Sequence, residues 1–158
     1  MKVSKMIRFA NLFLTGLLAG NELGSSAALH PALEKLDPPE RIRAEQAVTR
    51  RYAAIMPFWM SSTLISCLAA LVAARGSAGF RRTLTGTACF AVMLASTRLG
   101  NVPINDRVLE LSPEEDQAEF ARLRERWDQL HTLRVALNLV GFGVLISGIL
   151  TSERQVPG

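Results

Sequence analysis

Trp127, His131, Arg134 and Asn138 follow one another at spacings of four, three and four. Side chains so spaced lie on one face of a helix. An imidazole can take a proton near neutral pH. A guanidinium or an amide can donate to an oxygen on which charge develops. Asp128, three residues before His131, is placed to orient the ring. Arg134 lies about one turn deeper than His131, where it could pair with a carboxylate or bind an oxyanion on a ligand. Four more residues belong with these: Glu22, alone among apolar neighbours, His30, and the two asparagines of Asn101-Val102-Pro103-Ile104-Asn105. The expected catalytic set is His131, His30, Arg134 and Glu22, with His131 first as base and His30 second. Asn101, Asn105, Trp127 and Asn138 are the expected substrate contacts.

Other chemistries fit less well. There is no Gly-rich phosphate loop, no CxxC and no nucleophile elbow. Two His and a carboxylate would suit non-haem iron. On a regular helix, however, Glu22 and His30 are separated by a rise of about 12 Å. Haem held between His30 and His131 is a further alternative. The expectation is a site without metal or cofactor. Two Cys exclude a disulfide framework or a four-Cys zinc module; Cys67 and Cys89 should pack as small apolar residues.

The elements that must carry these groups are apolar. Of 158 residues 49% are hydrophobic and 20% charged, and the charges avoid four long stretches. Val135–Leu150 offers only Asn138 and Ser147 as polar interruptions. A membrane crossing takes about 20 mostly apolar residues, whereas helices of a soluble bundle keep a polar face. The sequence therefore predicts an all-α, integral membrane four-helix bundle, one domain over residues 1–158, with spans near 7–29, 56–74, 82–99 and 133–150. A soluble helical core is the alternative. Lys2, Lys5 and Arg8 before the first stretch, with Ser25-Ser26-Ala27 after it, would also suit a cleaved signal segment. Gly16, Gly20 and Gly24, a small-residue stripe, and the charge of Glu22 favour a retained helix.

Basic residues without acids mark the N-terminus and the turn holding Arg75, Arg81 and Arg82. The positive-inside rule puts both, and the C-terminus, in the cytoplasm of a multi-pass cell-membrane protein. The net charge of +4 then reflects topology, and no nucleic-acid partner is expected. The two outer loops mix acids and bases and should be helical. Asp37-Pro38-Pro39-Glu40 and Ser112-Pro113-Glu114-Glu115 read as helix starts. Phe120, Leu123, Trp127 and Leu130 give the second outer helix an apolar stripe. Pro57 should kink the second span. In this topology both histidines and Asn101 and Asn105 sit at the outer end of the bundle, as a pocket between helices requires. The partners implied are the bilayer, a small lipophilic substrate and, through the glycine stripe, a second copy of the chain.

These residues also carry a family resemblance. His30-Pro31-Ala32-Leu33, Leu36-Asp37, Arg51-Tyr52, Met56-Pro57, the Asn101–Asn105 motif, and Trp127 with Leu130-His131-Thr132-Leu133-Arg134 resemble the anthrone oxygenase-like family of small four-helix membrane proteins, over about Leu17 to Leu150. In this chain two residues separate His131 from Arg134; many relatives resemble a tighter His-x-Arg spacing. The resemblance implies oxidation of a polyketide anthrone to an anthraquinone by O₂. A non-catalytic membrane bundle, serving as a partner subunit or binding lipid or a small molecule, is the alternative from a different class. A transporter would need oligomerisation, since four spans show no internal repeat.

Overall fold

The computed structural model describes residues 2–153, and every regular element among them is helical. Four long helices make the bundle: α1 (Lys2–Gly24), α3 (Pro38–Ala73), α4 (Phe80–Ser96) and α6 (Gln117–Glu153). Two short ones, α2 (His30–Leu33) and α5 (Val102–Glu110), lie at one end. The all-α class is as the sequence predicts. α3 and α6 are long and apolar enough to cross a membrane, with mean hydropathy of 1.8 and 2.0 over their best windows.

Two cores follow from the two halves of α3 and α6. In the apolar half, Leu18, Met60, Cys67, Phe90, Met93 and Leu145 pack together. In the polar half, Ile42, Ile104, Val108, Leu111, Phe120 and Trp127 form a second cluster, with Leu123 and Leu130 against it. The expected Phe120–Leu130 stripe is thus the packing face of the polar half of α6. Gln46 ties α5 to α3 by donating to the carbonyls of Val108 and Leu111, both at 3.0 Å.

Local chemistry explains the boundaries. Asp37 is the extended N-cap of α3, with proline in its first turn. α6 begins later than Ser112-Pro113-Glu114-Glu115 predicts. The Asp116 carboxylate accepts the Ser112 N–H at 2.7 Å, and its carbonyl accepts the N–H of Phe120, so residues 113–115 are spent on a turn. α3 runs on through Pro57 as one helix. Gly76 turns the chain between α3 and α4 at φ 75°, a left-handed conformation that favours glycine. Gly86 lets α4 approach α6: a Cβ there would stand 2.6 Å from Leu145 Cγ and 3.0 Å from the Gly141 carbonyl oxygen. Of the predicted glycine stripe only Gly16 faces a neighbour, Phe142; Gly20 and Gly24 face open space.

Candidate functional site

Two helices lose their regular phase at the site. Ser25–Leu29 and Thr97–Asn101 are π turns, closed by the N–H of His30 on the Ser25 carbonyl and the N–H of Val102 on the Thr97 carbonyl. In each, the closing residue is followed by proline, Pro31 or Pro103. A proline has no N–H for the carbonyl four residues back, and here that carbonyl lies inside the π turn. Such turns accommodate an extra residue. On a regular helix Glu22 and His30 would point about 80° apart; with one residue absorbed, they return to within about 20° of one face. Both line one cavity, as do Thr97 and Asn105, the pair at the same spacing across the second turn.

That cavity holds about 280 Å³ and lies where the two cores meet. Met56, Met60, Ile104, Val108 and Phe120 give it apolar walls, and Trp127 a flat aromatic one. Trp127 is fixed by its indole N–H, which donates to Asn105 Oδ1 at 2.8 Å. His30 meets Trp127 edge-on, with ring centroids 4.8 Å apart, and Arg124 lies over the indole at 4.2 Å. Tyr52 donates to Asn21 Oδ1 at 3.2 Å on the same lining.

Two buried ion pairs flank the chamber. Arg134 Nε donates to Glu22 Oε2 at 2.8 Å, and Arg124 meets Glu45 Oε1 at 3.0 Å. All four side chains are nearly sealed from solvent, Glu22 at 1% exposure. Of the two roles open to Arg134 in the sequence, the structure shows the carboxylate pair. Asp128 does not orient His131; it pairs with Arg124 at 2.8 Å.

The histidines differ. His30 faces the cavity, its Nε2 3.0 Å from the Ser25 hydroxyl and its Nδ1 3.8 Å from Glu45 Oε1. His131 lies behind Trp127, stacked on it at 4.6 Å and edge-on to His30 at 5.1 Å, and does not line the cavity. Its Nδ1 stands 2.9 Å from Arg134 Nη2 and 3.5 Å from Glu22 Oε2; the guanidinium can only donate, so the proton of the neutral ring is on Nε2. Burial, then the nearby Arg134, His30 and Arg124, hold its pKa down at about 3. Among the described residues no group of three or more His, Cys, Asp or Glu is placed to hold a metal.

Of the eight expected site residues, Glu22, His30, Asn105, Trp127 and Arg134 line the cavity. His131, Asn101 and Asn138 do not. Asn101 is fully buried in the second π turn, and Asn138 donates to the Arg134 carbonyl at 2.8 Å. Cys67 is buried and accepts from Asn11; Cys89 is half-buried, and both thiols are free. Ser25, Glu45, Tyr52 and Arg124 line the chamber without having been expected there. Their only signal was the spacing of Glu45 and Arg124 from the apolar residues of their helices, which a solvated face would also produce.

The class defined by this fold and site is an all-α bundle whose polar groups converge on a partly open chamber with apolar walls and one flat aromatic face. The family model for anthrone oxygenase matches residues 45–144, and the chain belongs to that family. The match is shorter than the predicted Leu17–Leu150: Glu22, Ser25 and His30 precede it, while Glu45, Asn105, Arg124, Trp127, His131 and Arg134 fall within it. No curated protein and no solved structure matches the chain.

Proposed function

We propose that the chain is a membrane oxygenase that deprotonates a flat, lipophilic anthrone-type substrate and lets the resulting carbanion react with O₂. The observation that carries this reading is the chamber itself, with one imidazole, His30, facing an aromatic wall in a member of the anthrone oxygenase family. His30 takes a proton from the acidic ring carbon. The electron-rich enolate reduces O₂ and forms a C–O bond, giving a hydroperoxide. Loss of the second hydrogen from that carbon with cleavage of O–O releases water and leaves the quinone carbonyl. One O₂ is consumed and one water formed per anthrone, and no redox cofactor is required. Arg124 and Asn105, both on the lining, supply a cationic and an amide group near the enolate. The base role moves from His131 to His30 because His131 is walled off by Trp127 and is a weak proton acceptor at neutral pH.

Membrane insertion with four spans belongs to the same proposal. Phe9, Phe13, Ile65, Val72, Val92 and Val140 are exposed on all four long helices, whereas Asn11, Thr15, Thr63, Thr87 and Asn138 are buried. An apolar exterior around a polar interior suits lipid as solvent. Arg8 lies by the same crevice as Ala74, Thr83 and Gly148, so the basic N-terminus and the basic α3–α4 turn share an end, opposite the chamber. This supports cytoplasmic termini and an outward-facing chamber. The test is O₂ uptake and quinone absorbance with a hydroxylated anthrone, using protein purified in detergent. Wild type and H131Q should both exceed spontaneous autoxidation, and H30A should not. No acceleration by wild type, or H30A equal to wild type, overturns the reading and favours a non-catalytic bundle.

A further inference from the structure

Glu45 is an unusual carboxylate. It sits on the polar half of α3 yet is only 4% exposed. One oxygen, Oε1, stands 3.0 Å from Arg124 Nη1 and 3.8 Å from His30 Nδ1. His30 Nδ1 is buried and has no hydrogen-bond partner, while the other ring nitrogen contacts the Ser25 hydroxyl at 3.0 Å. A carboxylate can only accept, whereas a hydroxyl can either donate or accept. With the proton on Nδ1, the N–H points at the Glu45 carboxylate, an electrostatic attraction across 3.8 Å, and the Nε2 lone pair accepts from Ser25. With the proton on Nε2 instead, two lone pairs would face each other across 3.8 Å in a buried site, a repulsive contact.

We infer that Glu45 is a positioning residue: it holds His30 in the Nδ1–H tautomer, so that Nε2 is the atom that accepts the substrate proton. Arg124 anchors the carboxylate from α6, and Ser25 occupies Nε2 until substrate displaces it. The tautomer of a catalytic histidine is set by the group on its other nitrogen. The catalytic meaning of this inference rests on the proposed function; the tautomer does not.

The experiment uses the full chain labelled with ¹⁵N-histidine in lipid nanodiscs. The chain has two histidines, so the H131Q variant assigns both. In wild type, His30 should show a protonated Nδ1 and an unprotonated, acceptor-type Nε2. The double variant E45M/R124M removes both charges together and leaves no lone buried ion; there the Nδ1–H preference should disappear. In turnover of an anthrone, E45Q, which keeps Arg124, should lose kcat by at least about tenfold with KM little changed, and E45D should keep more of it. The pH profile of kcat/KM should change in E45Q. The charged or titratable groups facing His30 are Glu22 from α1, Glu45 from α3, and Arg124, His131 and Arg134 from α6, and of these only Glu45 is altered in that variant. A wild-type His30 protonated on Nε2, or the same tautomer in wild type and in E45M/R124M, overturns the inference. Because the spectra need no turnover, correct tautomers in an inactive wild type would sink the oxygenase reading alone.

Discussion

Removing Arg134 should damage the protein more than removing Arg134 and Glu22 together. Arg134 Nε and Glu22 Oε2 are 2.8 Å apart, and their side chains are 11% and 1% exposed. Arg134 also donates to His131 Nδ1, and Glu22 Oε1 has no hydrogen-bond partner. In R134M the Glu22 carboxylate keeps its burial and loses its cation. Breaking one side of a buried pair costs about 3–5 kcal/mol, whereas replacing both partners with apolar or neutral groups of similar size is often near neutral. E22Q/R134M should therefore recover at least about half of what R134M loses, by the same comparison of broken and fully replaced pairs. The assay is equilibrium unfolding in mixed micelles for wild type, E22Q, R134M and the double variant. Losses in the double variant that equal the sum of the single losses would show that the two charges do not sense one another, and would refute the reasoning. The cycle is informative because α1 and α6 meet here across 112 residues of sequence, so any coupling reports tertiary structure.

Two further outcomes follow from the packing. His131 is held at about 3 in the folded chain, below the value near 6.5 of an unfolded histidine. The unfolded chain thus takes up a proton that the folded one refuses. Stability is intact above about pH 6.5 and declines below it by up to about 1.4 kcal/mol per unit; unfolding followed from pH 7 to 5 should show that slope in wild type and a shallower one in H131Q. At the α4–α6 contact, G86A places a methyl against Leu145 and the Gly141 carbonyl and should cost about 1–3 kcal/mol. G20A, which meets nothing within 4 Å, is the control and should unfold like wild type.

The bundle was legible because its signal is long: charges are absent from stretches such as Pro57–Ala74 and Val135–Leu150, and the latter lacks the polar face that a surface helix of a soluble protein keeps. The outer end of the site was legible in part. His30, Asn105, Trp127 and Arg134 stood out as polar or aromatic groups beside apolar runs, and they do converge. Glu45 and Arg124 did not stand out. Each lies in a segment dense with exposed charges such as Arg43, Glu114, Arg107 and Glu119, whose ion pairs are at the surface. Nothing in type or spacing separates a charge turned inward from one turned outward, because tertiary contact with the facing helix decides it. The Asp116 cap was missed for a related reason: Ser112-Pro113 satisfies the local rule for a helix start, and a competing side-chain bond four residues on takes the N–H instead.

The π turns explain why His131 was ranked above His30. α6 stays regular from Gln117 to Glu153, so Trp127, His131, Arg134 and Asn138 share a face by ordinary helical counting, and that face is visible in the sequence. Glu22 and His30 do not share one by that counting. Their alignment depends on Ser25–Leu29 absorbing a residue ahead of Pro31. The regular stripe on α6 therefore supplies the wall and the cations. The irregular turns supply the groups that reach the chamber from the opposite side. Both π turns lie at the same distance from a proline, and each delivers a pair eight residues apart to one cavity. In a bundle with unbroken phase the two members of each pair would point about 80° apart, and one would leave the chamber. The prolines, which a helical reading takes as terminators, thus accompany turns that bring Glu22 with His30, and Thr97 with Asn105, onto one cavity.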